Sequence, residues 1–192
     1  MKEAQRYSAI VIGCSAGGLH ALIVLLEDLP LNCRVPIVIV QHRSKDEREL
    51  LEVVLRQRCA IPIRQADEKE AIANGYVYIA PPDYHLLVEQ NRTFSLSTDE
   101  KVNYARPSID VLFETAAEVY TDKLAGVILT GANSDGCQGV KAIHRRGGFT
   151  IAQDPREAEF PAMPLAAVKS GDIDRVLSLA DIKMFLSDQA TT

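Results

Sequence analysis

The sequence predicts an α/β fold, doubly wound, with a mainly parallel sheet, helices on both faces and an antiparallel hairpin edge. Short β-branched runs alternate with segments whose apolar residues recur at helical spacing. Two of the runs, Pro36 to Val40 and Ala125 to Leu129, carry no polar residue, as suits strands buried on both faces of a parallel sheet. Each crossover between parallel strands sets its helix on one side, so repeated strand and helix units cover both faces. At 192 residues the chain suits one core, and residues 1–192 are read as a single domain.

The elements follow in order. Ser8 to Ile12 reads as a strand that ends in a glycine-rich turn, and Leu19, Leu22, Leu25, Leu26 and Leu29 then mark a helix. Pro36 to Val40 is the second strand. Ser44 with Glu47 three residues on forms a capping-box pattern, ahead of a helix that buries Leu50, Leu51, Val54 and Leu55 and ends near Cys59. Tyr76 to Ile79 is a strand broken by Pro81-Pro82, and two short alternating segments flank Gln90-Asn91-Arg92 as a hairpin. Ser108 can cap a helix whose stripe is Ile109, Leu112, Phe113, Ala116, Ala117 and Tyr120. Beyond the strand Ala125 to Leu129, Gly136 to Arg146 reads as a helix stopped by Gly147-Gly148, and Phe149 to Ala152 as a strand. Pro164 to Ser170 is a short helix closed by Gly171, and a last helix lies around Asp181 to Leu186.

Composition excludes several classes. The chain is 47% hydrophobic and 24% charged, with a formal charge of -5, and no basic tract supplies the cations that nucleic-acid binding needs. Cys14, Cys33, Cys59 and Cys137 lie far apart and form no CxxC pair, which suits reduced thiols in a cytoplasm. Ala9 to Ile12 is too short for a signal-peptide core, and no apolar run approaches the roughly 20 residues of a membrane span. A cytoplasmic location, without membrane insertion, is expected.

Ligands of open parallel sheets bind beyond the carboxyl ends of the strands. Three loops there carry reactive groups: Gly13-Cys14-Ser15-Ala16-Gly17-Gly18, Gln41-His42-Arg43 and Thr130 to Gly136. A serine hydroxyl needs a base, and the base needs a carboxylate that orients it and steadies its cation. Ser15, His42 and Asp135 can fill those roles, and the helix after Ser15 offers backbone amides to an oxyanion. On the residues alone a second reading stands beside this one, in which Ser15 belongs to a phosphate-binding loop. Against it, Ser15 occupies the second glycine of a dinucleotide fingerprint, no acidic residue ends the second strand, and a P-loop lysine is missing. Cys14 is a rival nucleophile, though a small buried residue is the plainer reading. His20 and His144 are read as solvated or packing residues, His85 as a possible border of the site, and Asp110 and Glu114 near Arg106 as helix-start electrostatics.

At these loops the chain resembles a known family. GCSAGG, VIVQH, IAPPDYHL, RPSIDVLF, LTGANSDG and AQD with a later MP are similar, in order, to motifs of the CheB-type chemotaxis protein-glutamate methylesterases. The resemblance covers nearly the whole chain. It implies hydrolysis of glutamate methyl esters on the cytoplasmic helices of methyl-accepting chemotaxis receptors, with glutamine deamidation as a second activity and no cofactor or metal. Ser15 then matches the nucleophile, His42 the base and Asp135 the orienting carboxylate. Family members usually carry an N-terminal receiver domain, whereas the first strand here begins close to Met1, so the expected enzyme is either constitutive or controlled by a separate regulatory protein. The chain departs from the common pattern at Ala16 for Thr, Arg43-Ser44 for Met-Pro, and Ala132-Asn133 for Met-Gly. Two other readings stay open: a receptor-docking adaptor without catalysis, and an esterase for another methyl ester.

Overall fold

Residues 7–42 and 50–191 are described by a computed structural model. The capping-box residues Ser44 and Glu47 lie outside them, as does Arg43. Seven strands form a parallel sheet: β1 (Ala9–Cys14), β2 (Ile37–Gln41), β3 (Ile63–Gln65), β4 (Val77–Ile79), β7 (Leu124–Ile128), β8 (Phe149–Gln153) and β9 (Arg175–Leu177), in the order β3-β4-β2-β1-β7-β8-β9. Between β4 and β7 in sequence, β5 (His85–Val88) and β6 (Phe94–Ser97) pair antiparallel. The hairpin stands as a separate two-stranded sheet and does not extend the parallel one. Its apolar residues Leu86, Val88 and Phe94 join the core beneath the sheet.

Among the described residues there are six α-helices, α1 (Gly18–Leu26), α2 (Leu50–Arg58), α3 (Ile109–Tyr120), α4 (Cys137–Arg145), α5 (Ala162–Ser170) and α6 (Leu179–Thr191), and a 3-10 turn at Thr121–Lys123. The two-residue period of a strand sorts its side chains between two cores. Ile10, Ile12 and Cys14 of β1 face one core with Ile37 and Ile39 of β2, under α1, α2 and α6. Ala9 and Val11 face the other with Val38 and Val40, against α3, α4, α5 and the hairpin. Both strands are therefore apolar at nearly every position. No helix among the described residues is long and apolar enough to cross a membrane.

The element order positions the site. β1 lies between β2 and β7, so the chain moves outward from β1 on one side through β2 and on the other through β7. At such a switch point the loops beyond neighbouring strands diverge and leave a crevice. Register places Cys14 beside Gln41 and Gly13 beside Ile128, so the loops that leave β1, β2 and β7 emerge together.

Candidate active site

The loop after β1 turns tightly. Gly17 has φ +77°, and a Cβ there would meet Glu159 and Thr130 Oγ1 at 3.0 Å. Gly18 has no space either, since a Cβ would fall 2.1 Å from Gln41 Oε1. Both glycines are thus required by conformation or by close approach. Ser15 is anchored through its main chain: its amide donates to Thr130 O at 3.0 Å, and its carbonyl accepts from Gly18 N at 2.9 Å. Thr130 Oγ1 donates to Ala16 O at 3.0 Å and accepts from Phe160 N at 2.9 Å, which ties the Ser15 loop to the segment before α5.

Gln41 links the first two loops. Its Nε2 donates to Ser15 O at 2.8 Å and to His42 O at 3.1 Å, while its Oε1 accepts from Cys14 Sγ at 2.9 Å. The His42 amide in turn donates to Cys14 O at 3.0 Å. Cys14 is fully buried and burial raises its thiol pKa, so it stays a protonated packing residue. That disposes of it as a rival nucleophile, because the thiolate is the reactive form.

His42 and Asp135 meet directly: Nε2 lies 2.8 Å from Oδ2, with the Asp135 side chain wholly buried and His42 only 11% exposed. From the loop between β7 and α4, Asp135 reaches the N-terminus of α3 with its carboxylate. Its Oδ2 also accepts from Ile109 N at 2.7 Å, and its Oδ1 from Ser108 Oγ at 2.8 Å, Asn103 Nδ2 at 3.1 Å and Asp110 N at 3.2 Å. Burial pushes a carboxyl pKa up, but the hydrogen bonds from His42, Ile109 N and Asn103 outweigh it and hold Asp135 below the usual range. An ionised carboxylate only accepts, so Nε2 carries the ring proton toward Asp135.

The other ring nitrogen faces Asn133. Asn133 Oδ1 accepts from the Asp135 amide at 3.1 Å, which turns its Nδ2 toward His42 Nδ1 at 3.2 Å. Among the described residues no hydrogen bond joins the Ser15 hydroxyl to His42. Ser15 and His42 nevertheless line one cleft of about 520 Å³, with Leu19, Ile23 and Leu51 as an apolar wall. The structure therefore joins two of the three expected residues by a hydrogen bond and sets the third on the same cleft, with a different partner at the nitrogen expected to face Ser15.

Around this pair the structure gives Asp110, Asn103 and Asn133 contacts that the sequence did not assign them. Asp110 is not engaged with Arg106, whose Nη1 donates to Thr98 O and Asp99 O. It is buried beside Asp135, accepting from Gly139 N at 2.7 Å and Asn103 Nδ2 at 2.7 Å. Burial and the nearby Asp135 charge raise its pKa. His85 does not line the cleft. It is buried, its Nδ1 accepts from Ser108 N at 3.2 Å, and Nε2 donates to Glu100 O at 2.9 Å. His20 is exposed at the rim of the cleft, and His144 pairs with Asp174 at 3.3 Å on the surface. For Asn133 a signal existed: Asn two residues before Asp is an Asx-turn pattern. Asn103 offered none, since only the tertiary fold brings it to Asp110 and Asp135.

A family model described as CheB methylesterase matches residues 10–186. A protein of Leptospira interrogans, provisionally named protein-glutamate methylesterase/protein-glutamine glutaminase, is 55% identical over 177 residues, covering 92% of this chain and 91% of its own. The protein-glutamate methylesterase/protein-glutamine glutaminase of Thermotoga maritima is 36% identical over 179 residues, which cover 92% of this chain and 52% of that relative. This chain thus spans about half the length of the Thermotoga relative. The crystal structure of the Thermotoga maritima CheB methylesterase catalytic domain superposes with a TM-score of 0.90 at 34% identity, covering 95% of this chain and 98% of that one. With its parallel sheet, separate hairpin and motif-bearing loops in the same arrangement of sequence and fold, the chain belongs to the CheB methylesterase family.

Proposed function

We propose that residues 1–192 act as one catalytic domain that hydrolyses glutamate methyl esters on the cytoplasmic helices of methyl-accepting chemotaxis receptors, and deamidates glutamines at the same site. The observation that carries this reading is the hydrogen-bonded pair of His42 and buried Asp135 on the cleft that Ser15 lines. The apolar wall of that cleft suits the methylenes of a glutamyl side chain. The activity named for the relatives from Leptospira and Thermotoga supports the same substrate class.

In the proposed reaction the Ser15 hydroxyl attacks the ester carbonyl carbon while His42 Nδ1 takes its proton. Asp135 holds Nε2–H and steadies the imidazolium. Backbone amides at the start of α1 receive the oxyanion. Collapse expels methanol with the proton from His42 and leaves an acyl ester on Ser15. Water, deprotonated by His42, then releases the glutamate carboxylate and restores the hydroxyl. An amide substrate follows the same course and expels ammonia. No step calls for a cofactor. A cytoplasmic setting and control by a separate regulatory protein belong to the same reading.

The test is methanol release from methyl-labelled receptor. Ser15→Ala should stay folded by circular dichroism and lose activity by about three orders of magnitude or more. Receptor binding by the wild-type protein without methanol release would instead favour a docking adaptor.

A further inference from the structure

We propose that Asn133 is a positioning residue that acts through His42: its amide occupies Nδ1 in the resting site, and the Ser15 hydroxyl must displace it before giving up its proton. The inference rests on the reading of Ser15 as nucleophile and His42 as base. It starts from three contacts. Asp135 N–H donates to Asn133 Oδ1 at 3.1 Å, Asn133 Nδ2 donates to His42 Nδ1 at 3.2 Å, and His42 Nε2 donates to Asp135 Oδ2 at 2.8 Å. Together they close a ring of donors and acceptors through one aspartate. Flipping the Asn133 amide would set N–H against the Asp135 N–H, so its orientation follows from that backbone donor.

The consequence lies in the lone pair. Neutral imidazole offers one acceptor nitrogen, here Nδ1, and it accepts from Asn133. The Ser15 hydroxyl has no hydrogen bond to it among the described residues. When His42 becomes imidazolium, Nδ1–H would face an NH2 group that has no acceptor to offer. The Asn133 contact therefore exists with the neutral base and is lost as the proton moves. An interaction present in the ground state and absent from the transition state slows the chemical step. Between turnovers the same contact keeps the imidazole oriented and the serine unactivated.

Asn133→Ser separates the two functions of the side chain. A serine hydroxyl can still accept from the amide two residues on, keeping the turn, but is too short to reach His42. Asn133→Ala removes both contacts. The first readout is the rate at which a small fluorophosphonate modifies the protein, followed by intact mass for wild type, both variants and Ser15→Ala. Both Asn133 variants should react about five-fold faster, the scale of one net hydrogen bond. With methylated receptor, kcat should rise by a similar factor while KM stays level. The second readout is the ¹⁵N spectrum of the His42 ring at neutral pH. Wild-type Nδ1 should be unprotonated and hydrogen-bonded, and its resonance should move in Asn133→Ser. Unchanged or slower labelling in both variants overturns the proposal without touching the triad, whereas a protonated Nδ1 in the wild type would remove the base itself and overturn both readings. Labelling of Ser15→Ala at the wild-type rate overturns the triad reading itself, so the two failures are distinguishable.

Discussion

Asp135 illustrates how much one side chain can organise. Ser108 was expected to cap α3 with its hydroxyl, and it does stand at the capping position, but that hydroxyl donates to Asp135. The carboxylate, brought from the loop after β7, takes the first amides of α3 in its place. A negative charge at a helix N-terminus is favoured by the exposed N–H groups there, so the same contacts cap the helix and keep Asp135 ionised. Asp110, the second residue of that helix, bears the cost of a second buried carboxyl nearby. Its raised pKa means that the folded protein holds the Asp110 proton more tightly than the unfolded chain does. Its stabilising contribution is complete below the unfolded aspartate value of about 4 and is lost as pH rises through the raised value. Asn cannot ionise, so the stability of Asp110→Asn relative to wild type should climb between about pH 4 and pH 7. Urea unfolding of both proteins across that range measures it, and a difference that stays flat with pH would contradict the assignment.

Among the elements, α3 and α4 pack against each other at Gly139 with no room for a side chain. A Cβ there would lie 2.4 Å from Phe113 Cβ, which is fixed to the α3 backbone and cannot swing aside. Gly139→Ala should therefore force the helices apart and destabilise the fold by about 1–3 kcal/mol, read as a lower urea midpoint at unchanged slope. Because Gly139 N also donates to Asp110, the same variant should disturb the Asp135 end of the site. The span of α3, Ile109–Tyr120, was legible because its apolar stripe is long and regular. Strand β3 was not, since Ile63, Arg64 and Gln65 run from buried to exposed and carry no pattern in three residues. Helix α6 runs well past the expected Asp181 to Leu186, to Thr191, because Ala190 packs into the core at a position where the local pattern had thinned. Proline in α5 is tolerated at Pro164 because the helix begins at Ala162, and the amide it lacks belongs to the first turn.

At the scale of the molecule, two cores share one sheet, since β1, β2 and β7 send alternate side chains to each. Neither core can be exposed without losing the strands that support the other, so the chain should unfold as a single unit. Cys14, Cys33 and Cys59 report on one face and, in a Tyr7→Phe, Cys137→Ser background that removes the tyrosine packed on that same face and the thiol on α4, Tyr78 and Tyr120 report on the other. Thiol accessibility and tyrosine near-ultraviolet circular dichroism should then share one urea midpoint, and two separated midpoints would show that the faces melt independently. The doubly wound plan is legible in the sequence because it rests on short-range physics: period-two and helical spacing, glycine turns, and apolar strands that must be covered on both sides. The same plan pointed to the carboxyl edge of the sheet, and so to Ser15, His42 and Asp135 as residues on neighbouring loops. What the tertiary structure alone decided is which atoms meet. Contacts such as Asn103 with Asp135, Gln41 with Ser15, and Asn133 with His42 Nδ1 depend on how separate loops converge in space, and sequence spacing carries no record of that convergence.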